Sequence, residues 1–329
     1  MATQPPALPT LADEEAGVMG LTEVEPSPVD ETPAECKDGY FPSKPDHGGN
    51  GGSGGASADA PEELGLPRRT TTSLGLGGSH GPVWWLTRVQ KYSSYAFGVF
   101  TAFHVANTSL LPLATRSVPE ANRYLLLTRP YYQSSIAEPI VVALPLLAHI
   151  TSGIALRLYR RRQALQRYGA ETRTDKRSIP WPVLSGTSLL GYILLPLASF
   201  HVWTTRILPL YMHGDSSLIS LSYISHGFAT HPFLSFAGFS ALVGTGVWHF
   251  VWGAAQWLGR KPSQVSPYSE HKDLDKKRRW YAINGVAAAV AALWLAGGLG
   301  VVGRAGKTVG WIGKEFDDLY RQIPFMHSP

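Results

Sequence analysis

The chain has 329 residues, 44% of them hydrophobic and 16% charged, with a formal net charge of +5. Its single cysteine, Cys36, excludes an internal disulfide. The charge is strongly divided: residues 1–66 hold thirteen carboxylates against only Lys37 and Lys44, a net of −11, while the remaining 27 basic and 11 acidic residues leave the rest at +16.

Residues 1–80 are acidic, rich in proline and interrupted by a glycine run from His47 to Ala56. Such a segment buries too little apolar surface to offset the entropy of ordering and reads as a disordered tail. It has no apolar core of signal-peptide type and is not arginine-rich, which argues against secretion and against a cleaved matrix presequence. Within it, Leu21-Thr-Glu-Val24-Glu-Pro26-Ser-Pro28 places a Pro-x-Pro after spaced apolar residues. An extended, preorganised segment docks in a groove at little entropic cost, although most prolines of such tails bind nothing. The glycine run reads as a flexible spacer.

From residue 82 the composition changes. Five apolar windows, at about 91–111, 136–158, 185–208, 234–258 and 280–302, reach the roughly 20 residues needed to cross a bilayer core. Tryptophans stand near many of their ends (Trp84, Trp85, Trp181, Trp257, Trp280), as membrane interfaces favour. The expected fold is an all-α membrane protein with five transmembrane helices over 82–302. The loops after spans two and four carry clusters of arginine and lysine, whereas the opposite loops hold only Arg116, Arg123 and Arg129. The positive-inside tendency places the basic side, and with it the N-terminal tail, in the cytosol, and the C-terminus opposite. Beyond the last span, residues 303–329 form a C-terminal amphipathic segment. Its Val309, Ile312, Phe316, Leu319, Tyr320 and Ile323 suit one helical face at the membrane interface.

The spans are internally related. Phe103-His104-Val105 with Thr108 and Leu111-Pro112-Leu113 aligns without gaps to Phe200-His201-Val202 with Thr205 and Leu208-Pro209-Leu210. His149, Gly153, Ala155, Leu158, Arg160 and Arg161 fall opposite His249, Gly253, Ala255, Leu258, Arg260 and Lys261. The first four spans therefore read as a duplicated helix pair. Each carries one histidine in its later half and successive spans alternate in direction. His104 and His201 thus fall near the non-basic side, and His149 and His249 near the basic side.

An imidazole in hydrocarbon is expensive unless something holds it. A lone example is best explained by a helix-to-helix hydrogen bond. Two same-depth pairs on a four-helix bundle instead suit up to two haem b groups with bis-histidine ligation, His104 with His201 and His149 with His249. Gly153 and Gly253 lie one turn beyond their histidines, where a missing side chain lets a flat macrocycle approach. Thr108 and Thr205 hold the equivalent places near the other pair, bonding an imidazole or simply the backbone one turn back. His213, His226 and His231 cluster between spans three and four; they border a quinone or proton-entry site, or are solvated loop residues, the latter being the commoner case. The basic loops attract anionic lipid headgroups, though topology alone accounts for them.

These features resemble the fungal mitochondrial outer-membrane adaptor family, whose members suppress loss of the tether between endoplasmic reticulum and mitochondria. The likeness covers about residues 82–325, and the membrane part of that family is distantly similar to the cytochrome b subunit of succinate and fumarate quinone reductases. The resemblance implies a non-enzymatic adaptor in lipid homeostasis at organelle contact sites, in the mitochondrial outer membrane with its C-terminus in the intermembrane space. It further implies recruitment of a bridge-like lipid-transfer protein of the vacuolar-sorting family through Pro26 and Pro28, with Leu21 and Val24 as flanking anchors. Membrane lipids are the other expected partners, and no nucleic acid is. The alternative is a di-haem cytochrome b type electron-transfer protein using quinol or a small reductant.

Overall fold

The computed structural model describes residues 81–326; the expected disordered tail and its Pro-x-Pro motif lie outside the described residues. Five helices are long and apolar enough to cross a membrane: α1 Pro82–Thr115, α4 Glu138–Arg167, α6 Gly186–His213, α8 Pro232–Trp257 and α9 Lys272–Gly298. Shorter helices join them: α2 Val118–Thr128, α3 Pro130–Gln133, α5 Arg173–Ser178, α7 Leu221–Thr230 and, at the C-terminal end, α10 Gly310–Arg321. No strand occurs among the described residues, so the all-α, five-span expectation holds. In none of the five apolar windows are more than 22% of the residues buried in the protein. Side chains such as Val99, Phe103, Leu144, Ile193 and Val290 point outward, the reverse of a soluble core and the arrangement lipid requires.

Three of the long helices widen into a π-turn, at Ala106–Leu110, Glu138–Ala143 and Trp203–Ile207. Each ends two residues before a proline: Pro112, Pro145 and Pro209. Proline has no N–H to donate and its ring clashes with the carbonyl four residues back, so the preceding turn opens by one residue. Because Leu-Pro-Leu recurs in both halves, the π-turn recurs at the same place in α1 and α6. The duplication seen in the sequence is thus also present in the backbone.

The helices pack in two hairpins, α1 against α4 and α6 against α8. The fifth span, α9, lies against α8 and against the π-turn of α1. Asn284 of α9 accepts from the indole nitrogens of Trp248 and Trp252, at 3.0 and 3.4 Å. On the other side, Ser109 Oγ donates to the Trp294 carbonyl at 2.7 Å, and Gly297 sits so close that an added Cβ would lie 2.0 Å from the Ser109 carbonyl oxygen. That neighbour is backbone and cannot swing aside. Gly297→Ala is therefore expected to lower stability by about 1–3 kcal/mol, the usual cost of forced overpacking, while Gly285→Ala, which meets nothing, should be neutral. Thermal unfolding in detergent reads the difference.

The segments between spans are more ordered than their composition announces. Arg161, read in the sequence as one of the charges that set topology, is buried; it donates to the carbonyls of Lys176, Ile179 and Pro180 and lies over the Trp181 ring. It fastens the loop between spans two and three. The C-terminal helix also differs from the interfacial expectation. Phe316, Leu319, Tyr320 and Ile323 are buried against Leu208, Ile219 and Tyr223, so its apolar face is covered by protein, while Val309 and Trp311 stay exposed.

A polar clasp accompanies this docking. Fully buried His226 of α7 has Nε2 2.8 Å from Asp317 Oδ1, and Lys307 Nζ lies 3.3 Å from Asp317 Oδ2. The solvated-loop reading of this histidine is therefore corrected, while His213 is exposed and His231 half-buried. Burial alone would raise the Asp317 carboxyl, but hydrogen bonds from His226 and Lys307 outweigh it and hold the group below its ordinary value. A depressed folded pKa stabilises docking above the unfolded value of about 3.9, and that contribution fades as pH falls through the lower folded value. Acidification below about pH 4 is thus expected to lower the hydrogen-exchange protection of α10, measured against the intrinsic rate at each pH, and Asp317→Asn should flatten the pH dependence.

Candidate haem-binding histidine pairs

The duplicated hairpins bring the four span histidines together as two pairs. The rings of His104 and His201 lie 6.0 Å apart, centre to centre, at 72°; those of His149 and His249 lie 6.1 Å apart at 82°. Each pair joins one helix of the first hairpin to one of the second. Gln90, whose carbonyl reaches His149, shares α1 with His104, so about 21 Å of helical rise separates the two levels.

The lower pair is oriented by the backbone. His149 Nδ1 is 3.2 Å from the Gln90 carbonyl oxygen, and His249 Nδ1 is 3.0 Å from that of Thr187. With Phe103 aligned to Phe200, Gln90 and Thr187 occupy the same place in the two repeats. An N–H held by a carbonyl fixes the tautomer and leaves Nε2 as a bare acceptor, the state a metal-bound imidazole needs. Gly191 supports this arrangement: an added Cβ would lie 2.9 Å from His249 Cε1. These carbonyls and Gly191 were missed in the sequence reading. A backbone oxygen has no residue-type signature, and only the repeat alignment marks the position.

The upper pair is packed among rings. Phe100 stacks on His104 with centres 5.6 Å apart, Phe239 stands edge-on to His201 at 5.8 Å, and Tyr132 closes over Phe100 at 5.5 Å. Neither imidazole makes a hydrogen bond among the described residues. Thr108 and Thr205 do not supply one: each hydroxyl donates to the carbonyl of its own histidine one turn back, at 2.7 and 2.6 Å. They satisfy backbone oxygens in the widened turn. The two glycines also differ from each other. A Cβ at Gly153 would meet Gln90 Nε2 at 3.1 Å, whereas one at Gly253 meets nothing within 4 Å.

These residues fit haem better than a bare ion. A metal–nitrogen bond of about 2.0 Å, with roughly 1.1 Å from nitrogen to ring centre, puts two axial imidazoles about 6.2 Å apart. Among the described residues no group of three or more histidine, cysteine or acidic side chains could hold a metal ion. Two ligands are too few for the four-coordinate site zinc takes, but are the number haem leaves open.

A charged pair absent from the sequence reading sits near the upper level. Arg206, inside the π-turn of α6, donates to both carboxylate oxygens of Glu138 of α4 through one guanidinium edge, with Nε to Oε1 at 2.7 Å and Nη2 to Oε2, and reaches Ser216 Oγ through Nη1. It links the two hairpins. Nearby Arg129 donates to the carbonyls of Ser217 and Ile219, tying α2 to the segment before α7.

No curated protein and no solved structure matches the chain. Residues 196–307 match a family model described as MDM10-complementing protein 1, transmembrane domain. The matched stretch runs from the middle of α6 to just beyond α9 and includes His201, His249 and the fifth span, and is similar to that domain over about a third of the chain.

Proposed function

We propose that this protein is a mitochondrial outer-membrane adaptor in lipid homeostasis, whose duplicated bundle holds up to two haem b groups. The observation that carries the haem part is the repeat-symmetric orientation of His149 and His249 by the Gln90 and Thr187 carbonyls. Their rings stand at axial-ligand separation with no third donor nearby. Haem supplies one-electron chemistry when bound; the chain's own residues orient the imidazoles and exclude water.

The adaptor part rests on the family match over residues 196–307 and on the acidic, proline-bearing tail ahead of the membrane unit. In this reading the tail faces the cytosol and recruits a bridge-like lipid-transfer protein through Pro26 and Pro28, with Leu21 and Val24 beside them. The bundle is anchor rather than enzyme. Pro26→Ala with Pro28→Ala is expected to abolish partner recruitment in cells while membrane insertion stays intact. Recruitment at the unsubstituted level would overturn the adaptor reading.

The stacking of two histidine pairs about 21 Å apart along the bundle also supports a second reading, a cytochrome b type protein passing electrons across the bilayer. That reading predicts a phenotype lost on substitution of the histidines and indifferent to deletion of residues 1–80.

A further inference from the structure

The basic end of span two carries two positive charges that no acid among the described residues neutralises. Arg157 and Arg161 stand one turn apart on α4 and lie over the same indole, their guanidinium carbons 5.7 and 5.0 Å from the centre of the Trp181 ring. Arg161 is only 7% exposed; its Nη1 and Nη2 donate to the carbonyls of Lys176, Ile179 and Pro180, while its Nε has no partner among the described residues. Half-buried Arg157 makes no hydrogen bond among them. Between residues 157 and 177 the only acids are Glu171 and Asp175, against eight basic residues, and Asp175 is turned to its own helix cap, accepting from the Thr172 amide.

Like charges one turn apart on a helix repel, and a buried cation is ordinarily paired with an anion. Carbonyl dipoles and an aromatic face ease the burial of the Arg161 guanidinium but bring no negative charge. The surroundings favour one kind of counter-ion. Ile154 and Leu158, on the same face of α4, are exposed, and Val183, two residues beyond Trp181, is 94% exposed. With a tryptophan among them, these apolar groups mark the boundary between headgroups and acyl chains, where an arginine at a span end reaches toward lipid phosphate. A soluble anion would leave that apolar surface in water.

We infer that Arg157 and Arg161, held over Trp181, bind the phosphate of an anionic membrane phospholipid whose acyl chain lies along Ile154, Leu158 and Val183. A phosphatidate headgroup, a phosphomonoester with no cation of its own, matches two guanidinium groups in charge, and its oxygens take the forked N–H donors of arginine. A choline or ethanolamine headgroup brings a positive charge to a place with no free carboxylate to receive it. Topology signalling asks only that basic residues be present on this side; it does not ask that two of them share one indole without an acid.

The test titrates the full chain in detergent with dioleoyl phosphatidic acid and, separately, dioleoyl phosphatidylcholine, and counts retained lipid by native mass spectrometry. A single phosphatidic acid is expected to bind about tenfold more tightly than phosphatidylcholine. Arg157→Gln should weaken it about tenfold, the loss of one hydrogen bond to a charged group, with unchanged thermal stability. Arg157→Lys, which keeps the charge but not the fork, should recover part of that loss. Arg162→Gln removes the same charge from the next residue, which is exposed, and should leave the affinity within about twofold. Equal losses in Arg157→Gln and Arg162→Gln would reveal a diffuse field and overturn the site, as would equal affinity for the two lipids. Displacement by glycerol 3-phosphate as readily as by phosphatidic acid would overturn the lipid assignment. Retention is read whether or not a Soret band is present, so failure of the haem or adaptor reading leaves this one standing.

Discussion

Alanine at His249 is expected to take the haem content from two per chain to one, halving the Soret absorbance per chain while the remaining centre keeps its bis-histidine spectrum. The reason is geometric: His149 has no other imidazole to face, and no further donor among the described residues completes a site there. Gly191→Ala makes the same point without removing a ligand. Its Cβ would fall 2.9 Å from His249 Cε1 and push the ring off the Thr187 carbonyl. Loss of such an orienting contact typically costs about 10–100-fold in metal affinity, so the lower haem should be lost on dilution while the upper remains. Gly285→Ala, in open space, is the control. A purified protein without a Soret band, or a spectrum unchanged in His249→Ala, would refute the haem assignment.

Glu138→Ala should destabilise the bundle by about 1–3 kcal/mol, below the full cost of breaking a buried pair because both side chains are partly exposed near the span ends. The loss arises from stranding Arg206 rather than from losing attraction. Replacing both partners, as Glu138→Leu with Arg206→Met, should therefore recover most of the stability. Thermal unfolding of the single and double variants in one detergent measures the cycle. Equal destabilisation in the single and double variants would show that the pair does not bridge the hairpins.

Several elements were legible because their physics is one-dimensional. An apolar window announces a span by length alone, and the five windows became five long helices. The shared Phe-His-Val and Leu-Pro-Leu motifs announced the duplication, since identical local sequence imposes identical local backbone, here a π-turn before each proline. Alternating span direction then pairs His104 with His201 and His149 with His249, and the rings do face one another in those pairs. The helices α2 and α7 were read as loops because they are short and bury their faces against protein rather than lipid. For the same reason the docked position of α10 escaped a periodicity argument: the pattern specifies an apolar face but not what covers it. Arg206 lay inside an apolar window, and nothing local marks Glu138 as its partner 68 residues away.

The amino-acid order by itself determined the spans, the repeat and the depth of each histidine, because those follow from length, hydropathy and direction along a helix. Only the tertiary structure decided which backbone carbonyls lock His149 and His249. It also decided that Thr108 and Thr205 serve the backbone, and that His226 is clasped by Asp317 beneath the C-terminal helix. Each of those depends on distances between segments far apart in the chain, which packing sets and local sequence does not encode.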